Sequence, residues 1–142
     1  MHDAQARDLD DLFNQAALAQ TRAYAPYSGF PVGAAIRDVA GQTHLGCNVE
    51  NAAYPSGTCA EQSAISAMIA AGGTRIAAIA VLGPGEEPVT PCGACRQRLR
   101  EFGDATTVVH AGARGGARRS FTLGELLPEA FGPALLAGAV KT

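Results

Sequence analysis

Three cysteines constrain this chain more than anything else in its sequence. Cys59 opens the run Cys59-Ala60-Glu61, and Cys92 and Cys95 frame Pro91-Cys92-Gly93-Ala94-Cys95. Both runs lie where a loop enters a helical pattern. Residues 60–71 are rich in Ala, Ile and Met, carry Glu61 and Gln62 early and end at Gly72-Gly73, the stop expected of a helix C-terminus; residues 93–102 are also helix-compatible. Cys92 and Cys95 are then one helical turn apart, and Cys59 completes a face from a second helix. A fold that uses all three must bring two helix N-termini to one point.

The rest of the chain predicts what surrounds that point. Residues 8–22 place Leu9, Leu12, Phe13, Ala16 and Ala17 at helical spacing, an amphipathic helix that can lie across a sheet and ends before Pro26. After a turn from Tyr24 to Gly29, residues 30–37 and 43–48 read as a hairpin around Gly41, and a loop then runs to Thr58. Residues 76–82, Ile-Ala-Ala-Ile-Ala-Val-Leu, form a continuous apolar run, a strand covered on both faces that Pro84 and Pro88 end. Residues 106–110 and 118–122 read as short strands separated by a turn over 112–116, and 123–127 as a short helix. Strands alternating with helices predict an α/β fold, a three-layer α/β/α sandwich on a mixed five-stranded sheet. An antiparallel hairpin comes first in it, and parallel pairing follows the helical crossovers. At 142 residues, with neither repeat nor linker, the chain reads as a single domain, 1–142.

Composition excludes several classes of partner. With 47% hydrophobic and 17% charged residues the chain is globular, and a net charge of −2 lacks the basic excess that a phosphate backbone requires, so no nucleic acid is expected. Arg96, Arg98 and Arg100, with Glu101 and Asp104 close by, and the group Arg114, Arg118 and Arg119 read as solvated charged faces. Residues 1–11 carry no apolar run, so neither a signal peptide nor a membrane span is expected and the location is read as cytoplasmic. There, Cys47, Cys59, Cys92 and Cys95 are metal ligands, catalytic groups or buried thiols rather than a disulfide framework.

Three thiols at this spacing match a tetrahedral zinc site with one position left for water. Helix N-termini offer unpaired N–H groups and positive dipole ends that help keep the thiolates ionised. Three thiolates on Zn2+ still sum to −1, which the surroundings must offset; Arg96 is one candidate. Glu61, two residues after Cys59, can lean toward the water without being a ligand. The arrangement resembles the signature of zinc-dependent nucleobase deaminases, whose glutamate is general acid and base. Two other readings stay open: a redox Cys-x-x-Cys pair, and a structural zinc with Cys47 as fourth ligand. Glu61 has no role in the structural-zinc reading, and a redox pair does not call for the Cys-Ala-Glu run.

Beyond the metal motif, residues from about 24 to 133 resemble the short, single-domain cytidine deaminases. The match includes Tyr24-Ala25-Pro26-Tyr27-Ser28, Phe30-Pro31-Val32-Gly33-Ala34, Gly46-Cys47-Asn48-Val49-Glu50-Asn51, Cys92-Gly93-Ala94-Cys95-Arg96-Gln97, and Glu125-Leu126-Leu127-Pro128 leading to Phe131-Gly132-Pro133. The resemblance implies one zinc ion per subunit held by Cys59, Cys92 and Cys95, proton transfer by Glu61, and binding of a ribose hydroxyl by Asn48 and Glu50. It also implies Phe30 near the base, Tyr54 and Phe131 reaching a neighbouring subunit's site, and a homotetramer with sites shared between subunits. The Ala60 N–H is a candidate donor to the pyrimidine 2-oxo group and the Thr90 carbonyl a candidate acceptor from the 4-amino group.

The activity so implied is hydrolytic deamination of cytidine and deoxycytidine to the uridines plus ammonia, a pyrimidine salvage reaction on a small nucleoside. Many short family members carry Arg directly after Cys-Ala-Glu, where this chain has Gln62, an amide that can donate a hydrogen bond but brings no charge. Deamination of a modified cytosine nucleoside such as blasticidin S, and a non-catalytic zinc-binding scaffold, remain the rival readings.

Overall fold

Small apolar residues alternating with larger ones set the layers. On β1 (Gly33–Asp38), Ala34 and Ile36 face one way and Ala35 the other; on β3 (Ile76–Gly83), Ile79 and Val81 face one way and Ala80 and Leu82 the other. In a computed structural model, which describes residues 2–140 and the side chains of 3–137, both faces of this sheet are covered. Met1, Lys141 and Thr142 of the expected 1–142 domain lie outside the described residues.

The first helix, α1 (His2–Gln20), lays Leu12, Phe13 and Ala16 on Ala35, Ala80 and Leu82. On the opposite face α2 (Ala60–Ala70) and α3 (Gly93–Phe102) bring Ala64, Ile65, Met68 and Leu99 onto Ala34, Ile36, Ile79, Val81 and Val109. Burying each large aliphatic chain here contributes about 1.5–3 kcal/mol. The result is the expected three-layer sandwich.

The sheet has five strands in the order β2-β1-β3-β4-β5, where β2 is Thr43–Cys47, β4 Val108–Ala113 and β5 Arg118–Thr122. Only β3 and β4 are a parallel pair; β1 is antiparallel to both β2 and β3, and β5 to β4. The expected parallel pairing therefore holds after the second crossover, through α3, and fails after the first. Both crossovers do return a strand in the same direction, but the first, through α2, lands beyond β1 and leaves that strand between β2 and β3.

Three further boundaries differ from expectation. Strand β4 continues through Gly112 to Ala113, where a turn was expected. A Cβ at Gly112 would lie 2.4 Å from the Phe13 ring, so this glycine marks close helix-on-sheet packing within a strand. The first helix begins several residues before position 8. A final helix, α5 (Pro133–Val140), follows the short α4 (Leu123–Leu126), and was not foreseen although Pro133 stands at the first helical position.

Two features hold the layers in register. Asp38 Oδ1 accepts the N–H groups of Ala40 and Gln42 at 2.9 Å each, and its Oδ2 lies 2.8 Å from His44 Nε2, a buried pair that closes the β1–β2 hairpin around Gly41. Gly46 lets α2 rest directly on β2: a Cβ there would lie 2.4 Å from the Ala60 carbonyl oxygen and 2.3 Å from the Ala64 nitrogen. That contact fixes the start of α2, where Cys59 and Glu61 stand.

Candidate active site

Cys59 and Cys92 are the N-cap residues of α2 and α3, both extended (φ −72°, ψ 156° and φ −67°, ψ 170°), and neither end has a side-chain cap hydrogen bond. The first-turn N–H groups of both helices, which lack intrahelical partners, therefore lie at the ends that carry the cysteines. Cys95 enters from the first turn of α3, fully buried, while Cys59 is half-buried and Cys92 exposed. The three Sγ atoms lie within 4.8 Å of one another. Sulfurs bound about 2.3 Å from a tetrahedral ion stand about 3.8 Å apart, so a small contraction closes them on zinc. Cys47, on β2 and half-buried, is not in this cluster, which leaves the four-cysteine site without its fourth ligand.

Burial dominates the electrostatics. It raises the Cys59 thiol, raises Cys95 far more with help from the Glu61 and Cys59 charges, and raises the 5%-exposed Glu61 carboxyl. The Glu61 backbone N–H, Arg98 and the Cys95 thiol partly offset the last shift. Cys92 moves the other way, lowered first by the backbone N–H of Cys95 and also by that of Ala94, as expected of a thiol at a helix N-terminus. Three converging thiols and a carboxyl, mostly penalised for carrying charge, are a donor set that a dication stabilises.

The positive charge comes from an unexpected residue. Arg96, the sequence candidate, is turned away: its guanidinium donates to the carbonyls of Pro91 (2.8 Å) and Leu126 (2.8 Å) and to Thr90 Oγ1 (3.3 Å), bracing the loop before α3. Arg98 instead donates from Nη1 to Cys95 Sγ at 3.6 Å. Residues three apart share a helix face and adjacent ones do not, a spacing that could have singled out Arg98. Gln62 donates along its own helix to Ser66 Oγ at 3.2 Å.

The other candidates gather around the adjoining loops. Val49 pairs with Tyr24 on one side and Thr58 on the other, so the 48–51 loop is tied to the residue before Cys59. Asn48 uses both ends of its amide on backbone, accepting from Val32 N–H and donating to the Phe30 carbonyl at 2.9 Å each. Glu50 accepts from the N–H groups of Tyr27 (2.9 Å) and Ser28 (3.1 Å) and from the Ser28 hydroxyl. Chiefly through that hydroxyl its carboxyl is held below the usual range.

Glu50, Tyr27, Ser28, Asn51 and Tyr54 line an open cleft of about 380 Å³. Tyr27 and Ser28 were not singled out as site residues; their tie to Glu50 spans more than twenty residues and leaves no local signal. No cysteine of the cluster lines this cleft. The Phe30 ring lies near Gly83, and Ala60 is buried at the start of α2 with a first-turn N–H that has no intrahelical partner. Tyr54 (76%) and Phe131 (54%) are exposed, and the Phe131 carbonyl accepts from Gln97 Nε2 at 2.8 Å.

Both the sequence and the fold have counterparts among known proteins. The profile of the cytidine and deoxycytidylate deaminase zinc-binding region matches residues 6–111. A cytidine deaminase of Sporosarcina psychrophila is 40% identical over 124 residues, covering 87% of this chain and 91% of that protein, and one of Mycobacterium tuberculosis is 41% identical over 125 residues, covering 88% and 90%. The crystal structure of a cytidine deaminase from Burkholderia pseudomallei superposes with a TM-score of 0.82 at 45% identity, over 86% of this chain and 98% of that one. With its three sulfurs between two helix N-termini and a matching profile over most of its length, the chain belongs to the cytidine and deoxycytidylate deaminase family.

Proposed function

We propose that this protein is a zinc-dependent cytidine deaminase that hydrolyses free cytidine and deoxycytidine to uridine and deoxyuridine. The observation that carries the reading is the three-sulfur cluster with the buried Glu61 on the first turn of the same helix as Cys59. Zinc in that cluster supplies the Lewis acidity that makes water a nucleophile at neutral pH. In the net reaction water adds at C4 of the pyrimidine and ammonia leaves.

The chain's own residues do the rest. Glu61, desolvated and therefore ready to hold a proton, takes one from the attacking water and gives it to ring N3; it then takes the second from the new C4 hydroxyl, which becomes the carbonyl, and delivers it to the amine, which departs as ammonia. The Ala60 N–H holds the 2-oxo group and the Thr90 carbonyl accepts from the 4-amino group. Asn48 and Glu50 meet the ribose hydroxyls with the hydrogen-bonding capacity their loop contacts leave, since an amide nitrogen has two protons and a carboxylate several lone pairs. Phe30 packs near the base.

Sharing of sites in a homotetramer is part of the same reading. Its support is the exposed apolar surface of Tyr54, Phe131, Leu135 (63%) and Leu136 (53%), which a second copy would cover.

Loss of the cytidine absorbance on adding purified protein, abolished by Glu61→Ala, is the expected result. A wild-type protein that holds zinc stoichiometrically yet leaves cytidine and deoxycytidine intact would overturn the reading in favour of a modified nucleoside or a scaffold.

A further inference from the structure

Counting charge at the cluster exposes a problem that Arg98 solves. Three thiolates and a zinc dication sum to −1, and the Glu61 carboxylate beside them carries another negative charge. Gln62 brings no charge and turns toward Ser66, and Arg96 spends its guanidinium on the Pro91 and Leu126 carbonyls. Among the described residues, Arg98 is the one cation hydrogen-bonded to a cluster sulfur, with Nη1 3.6 Å from Cys95 Sγ.

We propose that Arg98 is a positioning residue of the metal centre: by donating to the Cys95 sulfur it draws electron density off that ligand and sets how electron-poor the zinc is. Cys95 and Arg98 are three residues apart on α3, so the helix itself holds the guanidinium over the sulfur. Cys59 and Cys95 both feel the Arg98 charge, which reaches the ligands of both helices. A hydrogen bond to a ligating thiolate weakens its donation to the metal, and partners of this kind are typically worth 10–100-fold in affinity or activity. Arg98 is itself exposed, so solvent screens part of its charge and the effect belongs at the lower end of that range. In this chain α3 thereby contributes two ligands together with the charge that tempers them, while α2 contributes one ligand and the proton carrier.

The inference rests on zinc ligation by the three cysteines, and the experiment separates the two. Wild type, Arg98→Gln and Arg98→Lys are prepared with zinc for kinetics and with cobalt(II) for absorption spectroscopy. Cobalt in the wild type should show a strong thiolate-to-metal charge-transfer band; its absence would overturn the three-thiolate centre itself. In Arg98→Gln the band moves to longer wavelength, because an unbonded thiolate is a better donor, and kcat falls about tenfold with KM unchanged. Arg98→Lys, which keeps the charge, recovers part of both changes. An Arg98→Gln protein with an unmoved band, or one altered in KM alone, overturns the proposal. So does an Arg98→Lys protein that recovers neither readout, since the helix face rather than the charge would then be what the first substitution disturbed.

Discussion

The cysteine cluster and the neighbouring cleft are built on opposite principles. The cluster sits on two helix N-termini whose following residues, Ala60, Ala64 and Leu99, are in the core at 0–1% exposure. Its position is set by packing. The cleft is lined by residues as open as Tyr27 (51%) and Tyr54 (76%), and it holds its shape through side-chain bonds to backbone, from Asn48 to Phe30 and Val32 and from Glu50 to Tyr27 and Ser28. On the proposed function the contrast would place the chemistry on rigid elements and recognition on adjustable ones.

The comparison breaks most sharply at Glu61. Glu61→Ala should lower turnover by about four orders of magnitude while zinc content, read by atomic absorption, stays at the wild-type level. Loss of zinc alongside activity would mean that the carboxylate holds the cluster together instead.

Gly46 tests the packing side. Gly46→Ala puts a methyl against the backbone of Ala60 and Ala64, and a destabilisation of about 3 kcal/mol is expected, seen in the denaturation midpoint together with weakened zinc retention. A stable variant that keeps its metal would show that α2 can lift off β2 without moving Cys59.

On the cleft side effects are smaller. Glu50→Gln keeps the shape but loses a charged acceptor, and KM for cytidine should rise about tenfold with little change in kcat. A change confined to kcat would move Glu50 from recognition to chemistry.

The smallest effect is one of pH. Because the Ser28 hydroxyl, then the Ser28 and Tyr27 N–H groups, lower the Glu50 carboxyl in the folded state, these ties contribute fully above its unfolded value of about 4.3. They are lost as pH falls through the lower folded value. Exchange protection at the Tyr27 and Ser28 amides should therefore fade below about pH 4 while Ile79 and Val109 in the central strands stay protected. Simultaneous loss at all four amides would make cleft and core one cooperative unit.

Legibility in the sequence follows the same division. The hairpin, α2, β3 and α3 could be read because each carries its own period or stop signal, and the thiols because each stands in a short run of its own, Cys59-Ala60-Glu61 and Cys92-Gly93-Ala94-Cys95. The early turns of α1 could not, since residues 3–8 are exposed and carry no apolar stripe. Gly112 misled because its reason, the Phe13 ring, comes from the far end of the chain. Helix α5 is apolar all round, so it shows no period despite Pro133 at its start. The place of β1 between β2 and β3 is a property of the assembled sheet. Arg96 was chosen over Arg98 by proximity in sequence, where direction around the helix decides.

Gly46 also bears on how the site behaves as the molecule warms. Side chains are the soft filling of a packed protein: they change rotamer and take up expansion, while peptide planes keep their dimensions. With no side chain at Gly46 between β2 and the backbone of Ala60 and Ala64, there is little soft material at that joint to swell. The turn that carries Glu61 is thus mounted on the sheet almost as bone on bone, and warming should shift it less than it shifts the layers that meet through side chains.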